Sequence, residues 1–433
     1  MLSRRILQFA AAAMLLTLGV WAATSIGFSS DEPSGNRHQL TAIGKGKDPP
    51  PSLIDYSRLD RRLQSLMEEN SMIGLGVAIV ENGEIRFLKG YGETVAGSGQ
   101  PVTPNTVFRW ASLSKGVAAD MIALLAAQDR LSLYEPVAKY SATLRLPGGN
   151  EHKATISDLL SHRLGLFSHA NDSKLEDDMD PRMLRMSLAE LNAICPPGTC
   201  HSYQNVAYDA ASEIVEKVTG ERYEDAVRRR LFRPLGMTSA SISRDGLVTA
   251  PSWARPHVGG KNSKPVEVVE SYYRVPAAGG VNSSIKDLAL WMKAQMGENS
   301  SVLPAQALQA VQSARATTPG EMGRMRKFRE RIAKASYGLG WRIYDYAGHR
   351  VIGHRGGVRG YRSLVMFDPE RKSGVVALWN SSTNQPGGLE FEVMDMLYRL
   401  PQRDWLGVDD RPTPDQPTPE EAGNVIIGGG GSR

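Results

Sequence analysis

Cysteine is scarce in this chain of 433 residues, which contains only Cys195 and Cys200. Two sulfur atoms cannot complete a structural zinc site, which takes four ligands, and the histidines show no spacing typical of metal ligands. We therefore expect no metal site. The cysteines enclose a Pro-Pro-Gly turn that can bring them together, and a disulfide is expected in an exported protein. So small a loop adds roughly 2 kcal/mol on the entropic model, so its main effect should be local rigidity.

Two other absences exclude classes of function. No Gly-x-Ser-x-Gly sequence occurs, which excludes the nucleophile elbow of the α/β-hydrolases. No long basic block interleaved with aromatic residues occurs either, and the formal net charge of +5 is spread along the chain, so we expect no nucleic-acid partner. The densest basic stretch, residues 324–331, is expected to be a solvated helix face, with contact to an anionic cell-surface polymer as the alternative.

The N-terminal segment has the pattern of an export signal. Two arginines precede an apolar run from Ile6 to about Ala23, and the first acidic residue is Asp31. Residues 1–28 are therefore expected to be a signal peptide or an uncleaved anchor barely long enough to span a bilayer. The Ser-Arg-Arg sequence also resembles a twin-arginine signal, and no cysteine follows that would make a lipoprotein. We expect a periplasmic protein, either soluble or anchored to the inner membrane.

The composition of the rest of the chain predicts a linker, a globular domain and a tail. Residues 29–52 are polar and rich in Pro and Gly, which predicts a flexible linker. The globular domain is expected over 53–405, with a helix-rich insertion at about 135–312. The Pro- and Gly-rich segment 406–433 is expected to be a disordered tail.

Periodicity predicts strands at both ends of this domain. An amphipathic helix is expected over 56–70, then strands over 74–80 and 85–92 joined by an Asn-Gly turn. The C-terminal part predicts strands over 338–344, 349–354, 361–367 and 374–379 and a final helix over 390–400. The fold class is therefore α+β, with one antiparallel sheet built from both ends, flanked by helices, and a helical domain inserted.

The sequence Ser112-Leu113-Ser114-Lys115 is the strongest candidate for chemistry. It lies where a strained approach segment is expected to turn into an apolar helix. A serine hydroxyl needs a base beside it, and positions three apart share a helix face, so Lys115 can stand next to Ser112. The first N–H groups of a helix have no internal partner, so Ser112 could also supply an oxyanion donor.

A second Ser-x-x-Lys sequence shows that chance can supply such a pair. Ser283 and Lys286 precede Asp287 and a short amphipathic run. We expect an ordinary helix N-cap with a solvated lysine there.

Two groups of residues distinguish the Ser112–Lys115 pair from the Ser283–Lys286 pair. Tyr203 and Asn205 follow the Pro-Gly turn, and they provide a proton relay and an amide that can hold a carbonyl or a lysine. His354, Arg355, Gly356 and Gly357 close one strand and open the next, offering a titratable group, a cation and an unobstructed N–H. We expect the Cys195–Cys200 pair to fix the loop that carries Tyr203, and His162 to be a buried structural residue.

Taken in order, these motifs resemble the serine β-lactamase-related family, which holds class C β-lactamases, D,D-peptidases, D-aminopeptidases and some esterases. The likeness runs from about residue 54 to 400, through the segments 107–112, 131–137, 155–166, 233–237 and 278–284. It implies a β-lactamase/transpeptidase-like fold, an active site between an α/β and a helical domain, and no metal or organic cofactor.

The resemblance also implies roles. Ser112 would form an acyl-enzyme, with Lys115 and Tyr203 moving protons and Asn205 holding the substrate amide and Lys115. The N–H groups of Ser112 and Gly357 would form the oxyanion hole.

The third motif departs from the family's lactamases, which usually carry Lys-Thr-Gly where this chain has His354-Arg355-Gly356. A histidine there resembles the peptidase and esterase branches. Arg355 could bind a substrate carboxylate bidentately or narrow the pocket with its bulk.

We therefore expect an exported serine hydrolase with a small-molecule or peptide substrate. The favoured substrate is a cell-wall peptide containing D-amino acids, with β-lactams as poor substrates or acylating inhibitors. The alternatives are an esterase for small acyl esters and a weakly catalytic penicillin-binding wall sensor.

Overall fold

The computed structural model describes residues 51–409. The predicted signal or anchor (1–28), nearly all of the predicted linker, and the tail beyond 409 lie outside the described residues. Among the helices of residues 51–409, none combines the length and the apolar character that crossing a bilayer requires.

Helices and short helical turns make up most of the middle of the chain. The α-helices are α1 (Tyr56–Met67), α2 (Ser114–Ala127), α3 (Ile156–Leu160), α4 (Asp172–Glu176), α5 (Pro181–Ser187), α6 (Ala210–Thr219), α7 (Tyr223–Val227), α8 (Arg244–Val248), α9 (Pro276–Gly279), α10 (Ile285–Gln295), α11 (Ala305–Gln312), α12 (Pro319–Arg324) and α13 (Leu389–Leu397). The strands are β1 (Gly74–Glu81), β2 (Glu84–Gly92), β3 (Val107–Arg109), β4 (Asn282–Ser284), β5 (Ala316–Thr317), β6 (Ile332–Tyr337), β7 (Arg342–Tyr346), β8 (His349–Val358), β9 (Tyr361–Asp368) and β10 (Ser373–Trp379).

One antiparallel sheet combines the two ends of the domain, as predicted. Its eight strands lie in the order β2-β1-β10-β9-β8-β7-β6-β5, and β3 pairs with β4 in a separate two-stranded sheet. Strand β1 pairs with β10 over six residue pairs, from Leu75–Trp379 to Val80–Gly374. The α+β class with an antiparallel sheet and flanking helices is confirmed.

Side-chain alternation along the central strands separates two cores. Val77 and Ile79 belong to the core that packs against α1 and α13. Ala78 and Val80 belong to the larger core on the opposite face, which contains α2 and α10. Both faces of the sheet are thus covered, and α2 lies in the core on one of them.

Helix α2 runs through the centre of the larger core. Every residue from Ser114 to Leu125 is buried, which agrees with its nearly continuous apolar sequence. A Cβ atom on Gly116 would lie 2.7 Å from the Trp291 ring, so only glycine allows this close approach. The side chain of Asp120 is buried there too, and its Oδ2 accepts hydrogen bonds from Trp291 Nε1 (2.8 Å) and Gln295 Nε2 (2.6 Å).

The predicted strand over 338–344 is wrong in its first half. Residues 338–341 form a turn in which Gly340 has φ of +74°, and a Cβ atom on it would lie 2.6 Å from the Lys115 carbonyl. The strand β7 begins only at Arg342. The preceding strand β6, with its two exposed positions Ala333 and Lys334, carries little apolar alternation and was not predicted.

Two surface predictions also need correction. The basic stretch is not a continuous solvated helix face, because α12 ends at Arg324 and Arg331 is buried against Asp395 at 2.7 Å. The predicted tail begins too early. Leu406 and Val408 are buried in the core beside α1. Removing their apolar side chains from water stabilises this packed position, although the segment is rich in Pro and Gly.

The disulfide between Cys195 and Cys200 is present, as predicted. Its loop is tied to the segment after α3: Gly198 N–H donates to the Arg163 carbonyl (2.7 Å), and Ser202 N–H donates to the His162 carbonyl (2.8 Å). These hydrogen bonds fix the backbone of the loop just before Tyr203.

Replacing Asp120 with asparagine should change the pH dependence of stability. Burial raises the pKa of Asp120 to about 8, so between about pH 4 and pH 8 the folded state holds a proton that the unfolded state has lost. Wild-type stability should therefore fall as pH rises through this range, by up to about 1.4 kcal/mol per pH unit relative to Asp120→Asn, which keeps the acceptor oxygen. Urea denaturation of both proteins across this range measures the difference, and a constant difference would contradict the assignment.

Removing the disulfide with Cys195→Ala/Cys200→Ala should lower the free energy of unfolding by about 2 kcal/mol, because the unfolded chain regains the entropy of a short loop. Denaturation with and without a thiol reductant measures this. The reductant should destabilise the wild type by a similar amount and leave the variant unchanged; equal sensitivity of both proteins would contradict the prediction.

Candidate active site

Ser112 lies on a tight helical turn, Ala111–Leu113, that leads into α2. The residue before it, Ala111, has φ of +49°, a left-handed conformation that is strained for a residue with a Cβ atom. Hydrogen bonds hold this conformation: Ser114 Oγ donates to the Ala111 carbonyl (2.7 Å), and Ser363 Oγ donates to the Trp110 carbonyl (2.6 Å). The predicted strained approach is confirmed, and it fixes the position of the serine.

Lys115 is fully buried beside Ser112. Its Nζ lies 2.6 Å from Asn205 Oδ1, 2.9 Å from the Ala278 carbonyl oxygen and 3.4 Å from Ser112 Oγ. All three oxygen atoms lie within hydrogen-bonding distance of Nζ, so the amine is held in place beside the serine hydroxyl. The geometry is therefore suited to a lysine that receives the serine proton.

Tyr203 covers the lysine from the loop fixed by the disulfide. Lys115 Nζ lies 4.8 Å from the centre of the Tyr203 ring, and the tyrosine is 8% exposed. The Tyr203 carbonyl accepts from His169 N–H at 2.8 Å, which holds the loop against the residues before α4. The structure thus brings Tyr203, Lys115 and Ser112 together.

Asn205 links the lysine to a carboxylate that the sequence did not single out. Its Nδ2 donates to Asp172 Oδ2 (2.6 Å), which lies 2.7 Å from His169 Nδ1. Because the amide nitrogen is engaged by Asp172, the amide oxygen is oriented toward Lys115.

His354 is buried and joined to His162 through Tyr337. Gln204 N–H donates to His162 Nδ1 (3.2 Å), so His162 Nε2–H donates to the Tyr337 hydroxyl (3.2 Å), which then donates to His354 Nε2 (3.0 Å). This direction requires both histidines to be neutral. Burial, together with nearby Arg342 and Lys115, lowers the pKa of His354 well below its usual value, in agreement with that chain. The expected buried, hydrogen-bonded state of His162 is confirmed.

The structure contradicts the prediction that Arg355 faces the substrate. Successive residues of β8 point to opposite sides of the sheet, so Arg355 points toward α13 while His354 points toward α2. Its guanidinium forms an ion pair with the buried Glu390 (2.5 Å) and donates to the Gly387 carbonyl (2.8 Å). It therefore neither binds a substrate carboxylate nor narrows the site.

The two glycines of the third motif lie against the serine turn. A Cβ atom on Gly356 would lie 2.3 Å from the Trp110 carbonyl and 3.1 Å from Ser112 N, so only glycine permits this packing. Gly357 lines a cavity of about 330 Å³ together with Ser112, Tyr203 and Asn205. Four of the predicted site residues do not line this cavity, namely Lys115, His354, Arg355 and Gly356.

The second Ser-x-x-Lys pair is structural, as predicted. Ser284 caps α10 by accepting from Asp287 N–H, while Ser283 accepts from Trp110 Nε1 (2.9 Å) and is fully buried. Lys286 is exposed.

Several residues that line the cavity were missed by sequence reasoning, namely His169, Asp172, Glu176, Tyr272 and Val358. The first four belong to the helical insertion, where short helices and loops carry no periodic pattern that would indicate which side chains face the serine. Among the described residues no cluster of His, Cys, Asp and Glu has the arrangement of a metal site.

Comparison with known proteins gives relatives over most of the chain. Unguisins hydrolase ungD' of Aspergillus campestris is 29% identical over 339 residues, which cover 74% of this chain and 61% of the relative. This chain thus spans about three fifths of that relative's length. Penicillin-binding protein 4 of Amycolatopsis lactamdurans is 28% identical over 339 residues, which cover 75% of this chain and 84% of the relative.

Solved structures share the fold. An octameric penicillin-binding protein homologue from Pyrococcus abyssi superposes with a TM-score of 0.71 at 24% identity, covering 80% of this chain and 78% of that one. A class C beta-lactamase gives 0.65 at 23% identity, covering 81% and 99%. The family model described as Beta-lactamase matches residues 59–395. The resemblance seen in the motifs is therefore confirmed, and this chain belongs to the beta-lactamase family as one of its serine hydrolases.

Proposed function

We propose that this hydrolase works through an acyl-enzyme formed on Ser112. The observation that carries the proposal is the position of Lys115 Nζ, which lies 3.4 Å from Ser112 Oγ while two carbonyl oxygens occupy its other hydrogen-bonding directions. The lysine has no solvent contact, so the Ser112 hydroxyl rather than a water molecule lies within reach of its Nζ for proton transfer. As the serine oxygen bonds to the substrate carbonyl carbon, its proton passes to Lys115.

The remaining steps use groups around the same cavity. The N–H groups of Ser112 and Gly357 stabilise the carbonyl oxygen as it gains charge, an effect worth about 3 kcal/mol per donor. Tyr203 passes a proton to the leaving group and helps to activate the water that releases the acyl group. Asn205 keeps Lys115 in place, because its own amide is held by Asp172.

The substrate we favour is a peptide that contains D-amino acids, with β-lactams as poor substrates or slow acylating inhibitors. One relative is named for binding penicillin, which supports acylation by β-lactams, and another is named as a hydrolase of unguisins. β-Lactams carry a carboxylate, and the third motif offers it no cation, because His354 is neutral and Arg355 is paired with Glu390.

The same observation favours a second candidate, an esterase for small acyl esters. An ester needs the serine, the lysine and the oxyanion donors, but no anchor for a carboxylate.

We also propose that the protein acts outside the cytoplasm, in the periplasm. The disulfide supports this, because disulfides persist in oxidising compartments. The apolar run from Ile6 to Ala23 supports it as well.

Mass spectrometry after exposure to a benzylpenicillin probe and to short p-nitrophenyl esters tests the chemistry. The adduct should form on Ser112, disappear in Ser112→Ala and persist in Ser283→Ala, the matched serine of the other motif. Loss of the Ser112 hydroxyl should reduce ester turnover by roughly 10³-fold or more. An adduct retained in Ser112→Ala would exclude this nucleophile. Rapid release of the penicillin adduct would indicate a lactamase, whereas ester turnover without an adduct from penicillin would favour the esterase.

A further inference from the structure

Carboxylates line the cavity at Ser112. Asp172 and Glu176 lie at the two ends of α4, and both contribute to the same cavity as the serine. Asp172 is 8% exposed, and while its Oδ2 is held by Asn205, its Oδ1 has no hydrogen-bond partner among residues 51–409. Glu176 is exposed, and its Oε1 accepts from the Tyr272 hydroxyl at 2.8 Å.

Glu176 also marks the point where a second cavity joins the first. That neighbouring cavity has about 290 Å³ and shares Glu176, Tyr272, Gly357 and Val358 with the serine cavity. Its further wall includes Val268 and Val269, and Val269 is 43% exposed. A groove therefore runs from Ser112, past Glu176, to a wall on which the two valines stand beside Arg109, Glu267 and Arg359.

His169 Nδ1 lies 2.7 Å from Asp172 Oδ2, whereas no lysine or arginine of residues 51–409 forms an ion pair with Glu176. Neither a lysine nor an arginine is among the described residues that line the serine cavity. Arg109 stacks on Tyr273, with 3.9 Å between the guanidinium carbon and the ring centre. Arg359 lines only the neighbouring cavity. Burial, together with the negative charges of Asp172 and Glu176, raises the pKa of Tyr272.

We propose that this groove selects acyl donors that carry an ammonium group close to the scissile carbonyl, with Glu176 as the residue that determines this specificity. The inference rests on the proposed function and narrows its substrate class. Asp172 adds to the negative potential, and an apolar group of the substrate lies beyond the ammonium against Val268 and Val269. A carboxylate at the same position is repelled.

Three chromogenic substrates that differ only in one side chain test this. They are the p-nitroanilides of N-acetyl-D-lysine, N-acetyl-D-norleucine and N-acetyl-D-glutamate, whose side chains end in ammonium, methyl and carboxylate. The value of kcat/KM should be about tenfold higher for D-lysine than for D-norleucine, and about tenfold lower for D-glutamate. Unacetylated D-norleucine p-nitroanilide distinguishes the source of the ammonium. A gain of similar size for this substrate as well would show that the site also accepts a free N-terminus, and a gain confined to D-lysine assigns it to a basic side chain.

The variant Glu176→Gln should bring the ratio of D-lysine to D-norleucine to within about threefold of unity. Asp177→Asn removes the same charge one residue away, at an exposed position that does not line the cavity, and should keep the wild-type ratio. A wild-type ratio of one, or a ratio unchanged in Glu176→Gln, would overturn the proposal.

A binding measurement tests this inference independently of the proposed acyl-enzyme chemistry. The amides of N-acetyl-D-lysine and N-acetyl-D-norleucine can be titrated into Ser112→Ala protein and followed by ligand-observed NMR. Tighter binding of the D-lysine amide that is lost with Glu176→Gln in the same background supports the recognition, even if no substrate is turned over. Equal binding of the two amides refutes it, even if Ser112 is the nucleophile.

Discussion

The burial of the Lys115 side chain constrains the rest of this structure. A polar nitrogen without solvent contact must have its hydrogen bonds satisfied internally, or the fold loses several kcal/mol. Its acceptors come from distant parts of the chain, Asn205 in the disulfide-tied loop and Ala278 in α9. The position of α9 depends in turn on Asp209, whose Oδ1 accepts from Ala277 N–H (3.0 Å) and whose Oδ2 is paired with buried Arg185 (2.8 Å). Satisfying one lysine thus organises the helical insertion around the start of α2.

The strand β8 separates two kinds of polar interaction by simple alternation. On the α2 side, His354 takes part in a neutral hydrogen-bond chain that connects it to the loop of Tyr203. On the α13 side, Arg355 is engaged in an ion pair with Glu390. The third motif therefore offers a substrate no available cation.

Sequence reasoning predicted the parts of the fold and site that depend on local pattern. The burial of α2 follows from its apolar composition, the pairing of Ser112 with Lys115 from helical spacing, and the disulfide from two nearby cysteines. The orientation of Arg355 could have been predicted, because side chains alternate along a strand and Arg355 therefore points to the opposite face of the sheet from His354.

The roles of Asp172 and Glu176 could not be predicted in this way. Their approach to Ser112 depends on how short helices of the insertion pack, which no periodicity encodes. Strand β6 was missed for a related reason, since its hydrogen bonds to β7 rather than its side chains define it.

The pairing of β1 with β10 has a consequence for the order in which this chain can fold. Just over three hundred residues separate Leu75 from its partner Trp379, so during synthesis β1 and β2 form only a hairpin whose inner edge stays open. The apolar surface of α2 is made early as well, before α6, α9 and α11 can pack against it. Contacts of such sequence separation form slowly and late. An incomplete chain therefore exposes both a strand edge and an apolar helix, which makes it a substrate for chaperones until the last strand is added.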